Sequence, residues 1–322
     1  MALAPDELRS RLNGLFAFPV TPFTPGDEVD VPRYRELLES LLDSRPNALF
    51  VCGGTGEFFS LNLAEYRALV SAAVEETRGR VPVIAAAGYG AALAAEFAKA
   101  AEQAGADGVL VLPPYLLQAE QDGLFEHYSA VARSTRLGLI LYQRDNAIFA
   151  PATAARLAGI ANIVGLKDGH GDMERLGRIR LKVGNEFPML NGMPTAELSA
   201  RAFAGLGIYS YSSAVFNFIP EMSLDFHQAL KAGNCAQMER LLEAFYVPLA
   251  SLRDRRRGYA VSLIKAGVNL RSKPVGVARP PVVNPSEGEL EELKSIIAQG
   301  MELLKQRSHS SQQNAMVAPP RS

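Results

Sequence analysis

Two side chains, Lys167 and Tyr142, have the type and position to do covalent chemistry. Lys167 closes the short apolar run Asn162, Ile163, Val164, Gly165, Leu166, which suits a strand buried on both faces better than an amphipathic helix. A lysine there has two comfortable outcomes. Either its ammonium reaches water along its apolar stem, or it is held in a dry pocket, where desolvation lowers its pKa from about 10.4 and leaves an amine that can form an imine. Tyr142 closes the preceding apolar run, 137–142. Parallel neighbours lie about 4.8 Å apart, so with both side chains inward a proton-moving phenol and a nucleophilic amine address one carbonyl carbon.

Positioning such a pair requires a sheet, and the chain supplies one. Strand-like apolar runs fall at residues 14–20, 47–52, 81–87, 107–112, 137–142, 162–167, 187–191 and 205–210. Between them, 31–43, 64–78, 91–104, 122–134, 151–158, 172–182 and 195–204 carry apolar stripes of helical period. Asn62 with Glu65 three residues on reads as a capping box, and Gly105 and Gly184 stand where helices should stop. Eight alternations predict an α/β fold, a (β/α)8 TIM barrel over residues 1–220. A doubly wound sheet would alternate similarly, but no Gly-x-Gly-x-x-Gly follows the first run. Residues 221–306 read as a C-terminal helical appendix, with helices at 220–231, 235–252, 257–268 and 287–306 and a Pro-rich stretch at 273–285. Residues 307–322 are polar with few apolar side chains, and disorder is expected there.

In such barrels the site lies at the carboxyl ends of the strands. Collected there are the Gly53-Gly54-Thr55-Gly56-Glu57 turn, whose backbone N–H groups could converge on an anion or simply make a tight turn, and Pro113-Pro114-Tyr115. Arg144 follows Tyr142 and suits a bidentate carboxylate clamp or a surface ion pair with Asp145. Asn191 and Thr195 after the seventh run, and Ser210 and Ser212 after the eighth, are hydroxyl and carboxylate binders or ordinary caps and turns. The basic run from Arg253 to Arg257 reads as a solvated or salt-bridged face.

The formal charge of −1 on 322 residues, 48% of them hydrophobic, argues against a nucleic-acid or acidic-membrane partner. Cys52 and Cys235 match no zinc or redox spacing, the four histidines form no ligand pattern, and no metal is expected. No apolar run approaches membrane-spanning length and residues 1–13 are not a signal peptide in pattern, so a reducing, cytoplasmic setting is expected.

Several of these segments together carry a resemblance. Phe18-Pro19-Val20-Thr21-Pro22-Phe23 followed by Val29-Asp30, the Gly53 to Glu57 turn, Pro113-Pro114-Tyr115, Tyr142 and Gly165-Leu166-Lys167-Asp168 resemble, in order and spacing, the dihydrodipicolinate synthase/N-acetylneuraminate lyase family over about residues 12–300. The resemblance implies a Schiff-base barrel acting on α-keto acids, with Lys167 as imine lysine, Tyr142 as proton-transfer tyrosine, and Gly54 and Thr55 in the turn that holds the α-keto carboxylate. It also implies a homotetramer or dimer. The synthase pattern is altered at Gly54, at Leu116 and at Gln143-Arg144-Asp145. Instead, Tyr142-Gln143-Arg144-Asp145-Asn146, Asn191-Gly192-Met193-Pro194-Thr195 and Tyr211-Ser212-Ser213-Ala214-Val215-Phe216 look like the branch that converts 5-dehydro-4-deoxyglucarate to 2,5-dioxopentanoate with loss of water and CO2. The implied partner is an α-keto sugar diacid. No organic cofactor is needed, because an imine on Lys167 is itself the electron sink. An aldolase or synthase acting on another α-keto acid such as pyruvate, and a non-catalytic barrel, remain the alternatives.

Overall fold

The computed structural model describes residues 2–317, with side chains through residue 306. Helix α1 (Pro5–Arg11) precedes a closed parallel barrel of β1 (Leu15–Ala17), β2 (Ala48–Val51), β3 (Val83–Ala87), β4 (Gly108–Val111), β5 (Gly138–Gln143), β6 (Ile163–Asp168), β7 (Met189–Asn191) and β8 (Ser210–Ser213). Around it run α2 (Val31–Asp43), α3 (Leu63–Thr77), α4 (Ala91–Gln103), α5 (Gln121–Arg133), α6 (Pro151–Ala158), α7 (Met173–Val183) and α8 (Ala196–Ala204). The expected (β/α)8 barrel is the observed fold.

Local chemistry sets these boundaries. The Asn62 carboxamide accepts from Ala64 N at 2.9 Å and Glu65 N at 3.0 Å, while Glu65 returns a carboxylate to Asn62 N at 3.0 Å, so α3 begins with the expected capping box. Asp30 and Asp172 cap α2 and α7 by accepting from Arg33 N and Arg175 N. Gly184 ends α7 at φ 82°, a conformation that a Cβ disfavours.

Two apolar layers result. Inside the barrel, Phe16, Phe18, Phe50, Ile84, Leu110, Ile140, Val164 and Leu190 stack, and Leu8 and Leu12 plug the amino-terminal end. Gly108 and Gly138 make room for that plug: a Cβ on them would stand 2.5 and 3.0 Å from Leu8 Cδ2. The outward strand faces pack against the helices as the second layer.

The eighth strand is displaced from its expected place at 205–210. Gly205 caps α8 and Gly207 takes φ 72°, so the apolar run around Leu206 and Ile208 turns and the polar segment Ser210–Ser213 pairs with β1 and β7. After the barrel come α9 (Pro220–Lys231), α10 (Cys235–Leu241), a π turn (Leu242–Tyr246), α11 (Val247–Arg253), α12 (Tyr259–Arg271) and α13 (Glu287–Val317). The last helix passes its expected end at 306; residues 318–322 of the segment expected to be disordered lie outside the described residues. The C-terminal helices share one core with the barrel's outer layer: Leu249, Leu263 and Ile297 belong to the same buried cluster as Leu69 and Val109. No described helix is long and apolar enough to cross a membrane.

Candidate active site

Parallel pairing puts Tyr142 directly beside Lys167, and residues so paired face the same side of the sheet. Both point into the barrel mouth, while their successors Gln143 and Asp168 point out toward the helices. There the Gln143 amide donates to Asp168 at 2.7 Å and its oxygen accepts from Phe149 N at 2.9 Å. The strand ends are thus tied from behind while the working pair faces the cavity.

Lys167 is 6% exposed, and its ammonium nitrogen sits 4.1 Å from the Tyr142 ring centroid and 4.5 Å from that of Phe18. Burial pushes its pKa down, and the Arg144 charge adds to that; the nearby phenol opposes it without reversing it. For Tyr142 burial alone would raise the pKa, but the neighbouring Lys167 and Arg144 charges prevail and lower it. Burial thus favours the neutral amine, while the phenol is drawn toward phenolate by Arg144 and, when the amine is protonated, by Lys167. The Tyr142 hydroxyl donates to Gly192 O at 3.2 Å and takes a long contact from Arg144 Nη1 at 3.5 Å.

The pair opens into a cavity of about 330 Å3, also lined by Gly54, Thr55, Arg144, Gly192, Met193, Pro194 and Ser212. That is room for a small diacid. The Gly54–Thr55 turn is closed by Glu57 N donating to Gly54 O at 3.1 Å and Phe58 N to Gly53 O at 3.1 Å. Among the described residues, neither the Gly54 N–H nor the Thr55 N–H has an acceptor within the protein, which leaves two donors at the cavity wall.

Four other expected site residues stand off the cavity. Asn191 pairs with Asp168 in register and so faces outward, where its amide donates to Ala196 O at 3.0 Å and Ser199 Oγ at 3.1 Å and its oxygen accepts from Met193 N. Ser210 begins β8 rather than ending it, and at the barrel's opposite end its hydroxyl accepts from Gly14 N at 3.0 Å. Thr195 accepts a hydrogen bond from Arg253 just behind Pro194. Tyr115 is 67% exposed, its ring 6.2 Å from that of Tyr89 and outside the cavity lining. Arg144 lines the cavity and also pairs with Asp145 at 3.0 Å, so both readings of it hold at once.

The sequence reading missed Phe18 and Gly192. Phe18 lies inside the first apolar run, just past the observed end of β1 at Ala17, and so gave no strand-end signal. Gly192 lies in a loop that reading had singled out, but an inward glycine leaves no side-chain signature. Missed too were Gly258, Ala260 and Val261, which bring the start of α12 over the cavity. Of the arginine run, Arg253 pairs with Asp254 and Arg255 with Glu292, as expected for a salt-bridged face.

Fold and cavity together define a (β/α)8 barrel with a buried lysine–tyrosine pair at the carboxyl ends of its strands. The chain belongs to the dihydrodipicolinate synthetase family, whose model matches residues 11–300. It is 48% identical over 310 residues to the probable 5-dehydro-4-deoxyglucarate dehydratase of Streptomyces griseus subsp. griseus, covering 94% of this chain and 97% of that relative. The probable 5-dehydro-4-deoxyglucarate dehydratase of Bradyrhizobium sp. (strain ORS 278) is 45% identical over 297 residues, 92% of this chain and 95% of that one. Among solved structures, dihydrodipicolinate synthase from Oceanobacillus iheyensis superposes with a TM-score of 0.85 at 27% identity, covering 91% of this chain and 98% of its own.

Proposed function

We propose that this protein is a lyase that converts 5-dehydro-4-deoxyglucarate to 2,5-dioxopentanoate, with loss of water and CO2, through an imine on Lys167. The supporting observation is the in-register pair of Tyr142 and desolvated Lys167 at the floor of a cavity that offers two free backbone N–H donors and the Arg144 guanidinium. These can meet the two carboxylates of one substrate at opposite ends. The names of the relatives supply the substrate.

Lys167 attacks the keto carbon, and water leaves to give the imine. Its nitrogen acidifies the adjacent CH2; loss of that proton forms an enamine that expels the hydroxyl at the next carbon as water. The conjugated imine then takes up the electron pair left when the distal carboxylate departs as CO2. Protonation and hydrolysis release the aldehyde product and restore the amine. Tyr142 moves the protons of imine formation, with Gly192 O and Arg144 holding its hydroxyl in place. Gly54 and Thr55 hold the keto-acid carboxylate, and Arg144 with Ser212 the distal end. The electron sink is the imine itself, so the reading calls for no metal or organic cofactor. We further propose that the enzyme works in the cytoplasm as a homo-oligomer, on the family resemblance.

Borohydride reduction in the presence of the substrate is expected to leave a stable adduct on the peptide carrying Lys167, with CO2 and 2,5-dioxopentanoate in the supernatant. Lys167→Met is expected to lose the adduct and at least about a thousandfold in turnover. An adduct on Lys167 without CO2 moves the reaction to the aldolase type, and an adduct elsewhere overturns the assignment.

A further inference from the structure

The turn that presents Gly54 and Thr55 ends in Glu57, a fully buried carboxylate on a residue with φ 59°. A side chain in the left-handed region is uncommon and persists where its surroundings hold it. Here they come from the C-terminal region. Lys265 of α12 donates its ammonium to Glu57 Oε1 at 2.8 Å and to Val277 O at 2.8 Å, and Arg279 N donates to Glu57 Oε2 at 2.9 Å. Lys265, itself 1% exposed, lies 3.9 Å from the Phe23 ring centroid, and the Arg279 guanidinium lies 4.1 Å from the same ring. The same end of the turn is also held by Thr21, whose hydroxyl donates to Gly56 O at 2.7 Å.

Two charges removed from water are a costly way to join helix to barrel, since apolar side chains of like volume do as well or better. What the charged pair adds is direction: the carboxylate is gripped at both oxygens from two different segments, which fixes the rotation of the Glu57 peptide and so the aim of the N–H groups just before it.

We propose that Lys265 and Glu57 are positioning residues for the keto-acid carboxylate, the C-terminal region acting through them to set the Gly54–Thr55 turn. The proposal rests on the reading of that turn given under the proposed function. It makes the C-terminal helices part of the binding apparatus.

The test uses the whole enzyme with pyruvate, a bare α-keto carboxylate, and borohydride. The adduct on Lys167 is followed against pyruvate concentration to give a half-saturating value and a plateau. Lys265→Met leaves a buried carboxylate unpaired, and its folding is at risk. The double variant E57Q/K265M removes both charges and is expected to melt cooperatively near the wild-type Tm. In the double variant the half-saturating pyruvate concentration is expected to rise about tenfold or more with the plateau retained, because Lys167 is intact and only carboxylate capture is impaired. A purely structural role lowers Tm and plateau together and leaves half-saturation where it was; that result, or a folded double variant with wild-type half-saturation, overturns the proposal. No Lys167 adduct in the wild type overturns the imine reading itself, and the clamp with it.

Discussion

Gly192 shows how closely a single residue can be tied to the chemistry. A Cβ there would stand 2.7 Å from Lys167 Cγ and 2.8 Å from Lys167 Cε, inside any contact real side chains make. The glycine also supplies the carbonyl that accepts from Tyr142, so one backbone segment shapes both members of the pair. Gly192→Ala is therefore expected to push the Lys167 stem aside and lower kcat/KM about 100-fold, as a displacement near 1 Å does elsewhere, with little change in Tm. Steady-state kinetics beside a thermal melt decides it; a loss of Tm in proportion to activity would mean the glycine serves the fold instead. Lys167 and Tyr142 were legible in the sequence because each closes an apolar run, where a polar side chain has few structural uses. Gly192 was not, because the steric demand comes from a lysine stem on a neighbouring strand.

Among the elements, β5 and β6 are the decisive pair. Their register places Tyr142 against Lys167, and the next residue on each, Gln143 and Asp168, locks that register from the helix side. Removing the Gln143 amide takes from Asp168 its side-chain donor, leaving it backbone N–H groups such as Gly171 N at 2.9 Å, and leaves Phe149 N without an acceptor in dry surroundings. Gln143→Ala is expected to lose about 1–3 kcal/mol of stability in urea unfolding, and a loss under about 0.5 kcal/mol would show that the pair is not what joins the strand ends. The misplaced eighth strand belongs to this scale as well. Leu206 and Ile208 look like strand residues and Ser210 to Ser213 like a loop, yet the strand needs only the right length and partners, and an apolar run interrupted by Gly207 at φ 72° cannot extend.

For the whole molecule, barrel and C-terminal helices share one core, and a buried polar cluster lies in their seam. Glu197 on α8 accepts from Ser213 Oγ of β8 at 2.6 Å, and Ser213 Oγ lies 2.8 Å from Ser223 Oγ on α9. Burial pushes the Glu197 carboxyl from 4.5 up to about 7, with the Ser213 hydroxyl opposing only in part. Between those values the native carboxyl holds a proton that the unfolded chain has released. Its contribution to stability is thus complete below pH 4.5 and is lost as pH rises toward 7. Glu197→Gln cannot ionise, so its Tm relative to wild type is expected to climb across that window and level off above it. Parallel Tm profiles for the two proteins would show that Glu197 titrates normally.

The sequence alone determined the alternation of strands and helices, most helix boundaries, and the two residues at the floor of the cavity. Those features rest on local periods, caps and the cost of a polar group closing an apolar run, all of which act within a few residues. It did not determine which residues of the seventh strand face inward, because a period of two carries no phase until a strand has a register against its neighbours, nor where along the chain the eighth strand begins. So Asn191 was placed at a site that in fact receives Gly192, and Ser210 was placed there beside Ser212, of which only Ser212 lines the cavity. Only the tertiary structure paired Glu57 with Lys265, 208 residues apart, since two charges can share a dry pocket only after the barrel and the C-terminal helices have closed around them.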